Sequence, residues 1–253
     1  MRIIAVANQK GGCAKTTTVV NLAAALAESG LRVLLIDLDP QANASQWLNA
    51  NEPRDGTFRL LTTSEAISNL VSESATPNIG VIAASQELAN VEKALAGKLA
   101  IDSILKRRLS KLDTASWDYV LIDTPPTLGV VTLNALVAAK ELLIPVTTHV
   151  MTLSGVAQLM SVVEEVQEVL NPDLSILGFL ASRVDARTRH SKDVLELLVE
   201  KFGPQVFDTL IRENVRLAEA PSYSLPIVAY DSGCVASADY RALAKEVIQR
   251  HPR

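Results

Sequence analysis

Between residues 9 and 18 the chain reads QKGGCAKTTT, with two glycines, a lysine and a threonine at the spacing of a phosphate-binding loop. Backbone N–H groups around Gly11 and Gly12 can turn toward a phosphate. Lys15 can lie along the β- and γ-phosphate oxygens, and the Thr16 hydroxyl can coordinate Mg²⁺. The fit to G-x-x-x-x-G-K-[ST] is incomplete: Gln9 stands in the first glycine position, Ala14 in the last, and a second lysine, Lys10, lies inside the loop. Two further segments carry carboxylates suited to a nucleotide and metal site. LLIDLDP places Asp37 and Asp39 two residues apart, hence on one side of a strand, and YVLIDTPP runs from apolar residues into Asp123.

Such a loop works only between a strand and a helix, because the helix N-terminus adds its partial positive charge to the phosphate site. The context is present: IIAVAN reads as a strand over 3–8, and the residues after the loop read as a helix over 15–29. Short β-branched runs then alternate with longer helical patterns. Further strands are expected at 32–39, 79–85, 119–125, 141–147 and 175–184, and helices at 86–96, 101–112, 129–139, 152–170, 190–202 and 236–250. This order predicts an α/β fold, a doubly wound, mostly parallel sheet flanked by helices, with the nucleotide at the carboxyl ends of the strands. Residues 41–78 are less regular, and NANEPRDGT (49–57) reads as a surface loop. Nothing marks a boundary, so 1–253 is read as one domain.

Composition narrows the function. With 48% hydrophobic residues the chain can build a sizeable core, and its formal net charge of -4 argues against a surface coated in basic groups. A local basic patch remains compatible with that average. The first residues lack the pattern of a signal peptide, and no segment approaches the roughly 18 apolar residues of a membrane span. Cys13 and Cys234 are the only cysteines, too few for a disulfide framework, and read as structural filler.

KGGCAKTT, VLLIDLDPQANAS, DYVLIDTPPTLGVVTLNAL and NVRLAEAPSYSLPI together resemble the ParA/Soj branch of the ParA/MinD ATPases, whose deviant Walker A loop reads K-G-G-x-x-K-[ST]. The resemblance implies ATP and Mg²⁺ as cofactors and slow hydrolysis stimulated by a partner. Lys10 would be the signature lysine that reaches across a nucleotide-sandwich homodimer to the partner's ATP. Lys15 would bind the phosphates together with the loop residues Gly11, Gly12, Cys13, Ala14, Thr16 and Thr17. By the same resemblance Asp39 would position the attacking water, and Thr16, Asp37 and Asp123 would serve the metal. Pro125 and Pro126 would stiffen the loop beside the γ-phosphate. Cys13 and Ala14 depart from the more usual Val-Gly or Ser-Gly; alanine is expected to be tolerated through a negative φ at that position.

Arginines gather in the last third of the chain. In this family those of the DAR and NVR segments contact DNA, which points to Arg187 and Arg216, with Arg189 and Lys192 beside them; Glu213 is expected to weaken Arg212. No helix-turn-helix precedes the first strand, so DNA binding is expected to be sequence-independent and salt-sensitive. The reading is therefore a cytoplasmic, nucleoid-associated ATPase that segregates a chromosome or plasmid with a ParB-like partner. Positioning of a protein microcompartment is the alternative. A MinD-like membrane cycle fits less well, because Tyr240, Leu243, Val247 and Ile248 make a narrow stripe suited to packing on the domain. An iron-protein-like reductase lacks its cluster cysteines.

Overall fold

The computed structural model describes residues 1–50, 55–148 and 152–250. Eight strands form one sheet in the order β3-β4-β2-β5-β1-β6-β7-β8. They are β1 (Arg2–Val6), β2 (Val33–Asp37), β3 (Ser72–Glu73), β4 (Ile79–Ile82), β5 (Tyr119–Asp123), β6 (Glu141–Thr147), β7 (Ser175–Val184) and β8 (Ile211–Arg212). All pairings are parallel except that of the short edge strand β3 with β4. Every residue of β2, β5 and β6 is buried, as a strand covered by helices on both faces requires.

Two apolar layers lie on the two faces. On one, α1 (Lys15–Glu28) and α11 (Val235–Gln249) pack side by side, burying Val19, Leu22, Leu26, Leu243 and Val247. On the other, α3 (Gly56–Thr62), α5 (Ile104–Leu109), α6 (Val130–Ala138) and α7 (Thr152–Val169) contribute Leu60, Leu105, Leu136 and Leu159. The short helices α2 (Asn43–Trp47), α4 (Val91–Leu95), α9 (Val215–Glu219) and α10 (Ile227–Tyr230) fill the connections, and α8 (Arg189–Phe202) follows β7.

The expected strands and long helices are all present; β6 and β7 match their expected bounds, and α1, α7, α8 and α11 fall within one residue of theirs. The strands that serve the site are shorter at their carboxyl ends than the apolar runs suggested. Ala7 and Leu38 still donate to the Leu143 and Asp123 carbonyls of neighbouring strands, but residues 8, 39, 83–85 and 124–125 lie past the strand ends, because the chain must turn outward to build a site at that edge. The expected helices at 86–96 and 101–112 each begin with a 3₁₀ turn before α4 and α5. Part of the expected surface loop 49–57 lies outside the described residues, and its end is corrected: Gly56 and Thr57 are buried and open α3, with the Thr57 N–H donating to the Ala83 carbonyl at 2.9 Å. A Cβ at Gly56 would lie 3.2 Å from the Leu70 carbonyl oxygen, so close backbone approach accounts for this glycine. Tyr240, Leu243 and Val247 are fully buried as the stripe predicted, whereas Ile248 points outward and is 38% exposed.

Candidate functional site

Register builds the site. Asp123, the last residue of β5, pairs with Val6 at the end of β1 and with Asp37 at the end of β2, so the loop after β1 emerges level with two carboxylates. Asn8 anchors the start of that loop, donating from Nδ2 to the Pro145 carbonyl at 2.7 Å and accepting from the Lys10 N–H at 3.1 Å. Gly12 then takes φ +74°, a left-handed turn in which a side chain is disfavoured.

Ala14 corrects an expectation. It precedes α1 with φ +63° and ψ +26°, not at negative φ. The left-handed residue lets its carbonyl accept the Thr18 N–H at 2.8 Å while no side chain caps the helix. The first N–H groups of α1 therefore face the loop without a side-chain acceptor, which is what an anion at a helix N-terminus requires.

Lys15 is only 7% exposed, and its Nζ lies 3.4 Å from the Lys10 carbonyl. Burial lowers its pKa, against the opposing pull of Asp123, Cys13 and Asp39. The Thr16 hydroxyl donates to Asp123 Oδ2 at 2.7 Å, while Asp123 Oδ1 is buried and has no hydrogen-bond partner among the described residues. Burial and the neighbouring Asp37 hold the Asp123 pKa well above the usual carboxylate range. Asp37 is also wholly buried, and burial pushes its pKa up to about 6. Its Oδ1 accepts the Asp39 N–H at 3.0 Å and its Oδ2 accepts both the N–H and the hydroxyl of Ser45, at 2.9 and 2.7 Å. Asp37 thus ties down the turn that carries Asp39, whose Oδ1 accepts the Gln41 N–H at 2.9 Å.

Lys10 and Thr17 are half-buried, Gly11 is exposed, and Cys13 is 1% exposed beneath the loop, where burial raises its thiol pKa. Of the proline pair, Pro125 is buried and Pro126 is exposed. Residue type and spacing alone point to no residues for the nucleotide base. A cavity of about 370 Å³ adjoins Gly12, Ala14 and Thr17, walled by Ser182, Asn214, Leu217, Ala218 and Tyr240 among others. The motif NVRLAEAPS (214–222) supplies Arg216 on the basic surface, and its Asn214, Leu217 and Ala218 line this cavity.

The basic residues of the last third are exposed but mostly paired. Arg187 grips Asp185 with Nε and Nη2 at 2.9 and 2.8 Å, and Arg216 lies 3.1 Å from Glu219 and 3.7 Å from Asp231. Arg189 and Lys192, at the start of α8, are exposed and make no ion pair among the described residues. Glu213 does not weaken Arg212 as expected: it pairs with Arg183 at 3.1 Å, and Arg212 pairs with Asp239. Among the described residues no helix is long and apolar enough to cross a membrane.

A phosphate loop at the end of a central parallel strand, with carboxylates at the ends of its neighbours, defines a P-loop nucleotide-binding protein of the doubly wound α/β class. A family model described as an AAA domain matches residues 1–176. The chain is 41% identical to the sporulation initiation inhibitor protein Soj of Bacillus subtilis, over 97% of this chain and 98% of that one. It is 40% identical to the chromosome partitioning protein ParA of Caulobacter vibrioides, over 99% and 95% of the two chains. Among solved structures, cobyrinic acid a,c-diamide synthase from Mycobacterium smegmatis with bound ADP and magnesium superposes with a TM-score of 0.85 at 34% identity, covering 98% and 94%. The chain belongs to the ParA/Soj family of deviant Walker A ATPases.

Proposed function

We propose that this protein is an ATP- and Mg²⁺-dependent partition ATPase that dimerises on ATP, binds DNA without sequence preference and segregates a chromosome or plasmid with a ParB-like partner. The reading rests on kinship with Soj and ParA and, within the site, on one observation: Asp123 Oδ1 is a buried carboxylate oxygen without a partner among the described residues, beside the Thr16 hydroxyl and near Lys15. A buried carboxylate is costly unless a cation or donor meets it. A hydroxyl and a carboxylate suit Mg²⁺, which takes few protein ligands and keeps waters. Thr16 would hold the ion directly and Asp123 through its water; bound there, Mg²⁺ would neutralise charge on the β- and γ-phosphates.

The chain's own groups divide the remaining work. The N–H groups of Gly11 to Thr17 and the start of α1 bind phosphate oxygens, with Cys13 and Ala14 contributing backbone only. Lys15 supplies charge from a partly desolvated position, and the cavity of about 370 Å³ receives the base. Asp39 orients water, held by the turn that Asp37 and Ser45 fix. Lys10 serves the partner's ATP, Pro126 stiffens the loop beside the γ-phosphate, and Arg187, Arg189, Lys192 and Arg216 meet DNA phosphates. Asp39→Ala should bind ATP and accumulate as a DNA-bound dimer. The test is size-exclusion chromatography with light scattering, alongside phosphate release; hydrolysis at the parental rate would refute the assignment.

A further inference from the structure

Cations without carboxylates collect at one place far from the phosphate loop. Among the described residues, Arg107, Arg108 and Arg189 are the arginines that make no ion pair. The first two line a cavity of about 290 Å³ together with Lys98, Lys111, Thr63 and Ser64. Helix α3 starts against Ala83 at the carboxyl end of β4, and α5 runs on toward the amino end of β5. The cavity between their last turns therefore lies toward the opposite end of the sheet from Lys15.

Helix ends alone do not account for the cluster. Lys98 Nζ does donate to the Thr62 carbonyl at 3.1 Å, and Arg107 to the Ala100 carbonyl at 3.2 Å. Two helix C-termini together supply at most about one negative charge, against four cationic side chains. Glu65, the carboxylate whose charge acts on Arg108, is already held by Arg59 at 2.5 Å. Arg108 is only 8% exposed; it donates from Nη2 to the Glu65 carbonyl, but its Nε is buried with no acceptor among the described residues. A buried guanidinium with an unused donor, two basic neighbours on the same helix end and a lysine from another segment repel one another unless an anion sits among them.

We infer that this cavity is a binding site for a small, multiply charged oxyanion of the phosphate class, separate from the nucleotide site. Arg107, Arg108, Lys98 and Lys111 would neutralise it, and the Thr63 and Ser64 hydroxyls would donate to its remaining oxygens. The concave shape and modest volume fit a small anion rather than an extended duplex.

The test is an amide-resolved NMR titration of the full chain with inorganic phosphate, in parent protein and in Lys15→Ala. Shifts at residues 62–64 and 98–111 are expected in both. Arg107→Gln with Lys111→Gln, both exposed positions, should weaken phosphate binding there at least tenfold while leaving spectra elsewhere unchanged. Shifts confined to residues 10–17, or equal affinity in the double variant, overturn the proposal. A short DNA duplex that shifts 98–111 at lower concentration than phosphate also overturns it, by making the patch a DNA surface.

Discussion

Ala14 offers the sharpest check on the loop. Its φ of +63° puts Cβ against its own carbonyl region in the left-handed well, a conformation that costs an L-residue about 1–2 kcal/mol. Ala14→Gly removes that cost and breaks no side-chain bond, because the residue caps α1 through its backbone carbonyl alone. Glycine loses more chain entropy on folding, worth about 0.5–1 kcal/mol, so at the middle of both ranges the net gain is about 0.75 kcal/mol. For a chain of this size each kcal/mol moves Tm by about 2–4 °C; a rise of about 1.5–3 °C follows, read by circular dichroism. ATP affinity, measured by fluorescence of a labelled nucleotide, should stay within a few-fold of the parent, because the left-handed turn already exists. Ala14→Val should lower Tm, since a branched Cβ fits that well worse. An unchanged or lower Tm in Ala14→Gly would refute the strain, and ATP binding gained only with glycine would mean that the native loop is not a working phosphate site.

Asp123→Asn should make the nucleotide-free protein more stable while abolishing Mg²⁺-dependent hydrolysis. Folding raises the pKa of this carboxyl, so its penalty is absent below about pH 4, where folded and unfolded states are both protonated, and grows as pH rises. The advantage of the variant in denaturant melts should accordingly widen from pH 4 toward 7; a constant difference would contradict the burial argument. Lys10→Ala should retain ATP but lose the ATP-dependent dimer in sedimentation velocity, and dimerisation at parental strength would remove its proposed reach across the interface. Arg216→Ala should weaken duplex binding and reduce the slope of log affinity against log salt by about 1. Asp185→Asn, which frees Arg187 from its bidentate partner, should act in the opposite direction; weaker DNA binding in it would mean that the pair orders the surface.

Much of this molecule is legible in linear order because the determining signals are local. Runs such as VLLID and ELLIPVT are apolar on both faces, which is how a strand between two helical layers must read. A glycine loop followed by Lys15 and Thr16 announces itself by spacing alone. The short elements α2, α3, β3, β8 and α10 escaped because they hold only two to seven residues and owe their existence to contacts far along the chain. Asn21 Oδ1 accepts the Ile227 N–H at 2.7 Å, and the Trp47 indole donates to the Leu225 carbonyl at 2.7 Å.

The roles of individual charges divide along the same line. Residue type and spacing suffice to nominate Lys15, Thr16, Asp37, Asp39 and Asp123, since local order along strand and loop sets which side chains reach one edge. Which carboxylate is saturated and which is left wanting a partner depended on how the loops fold back: Asp37 spends its oxygens on Ser45 and Asp39 in the turn after its own strand, while Asp123 Oδ1 meets none among the described residues. The same holds for cations. Asp185 and Glu219 lie two and three residues from Arg187 and Arg216, whereas only the folded chain brings Asp239 to Arg212 and, among the described residues, leaves Arg107, Arg108 and Lys111 without a carboxylate. Coulomb energy depends on separation in space and on burial, and neither quantity is written in the order of residues.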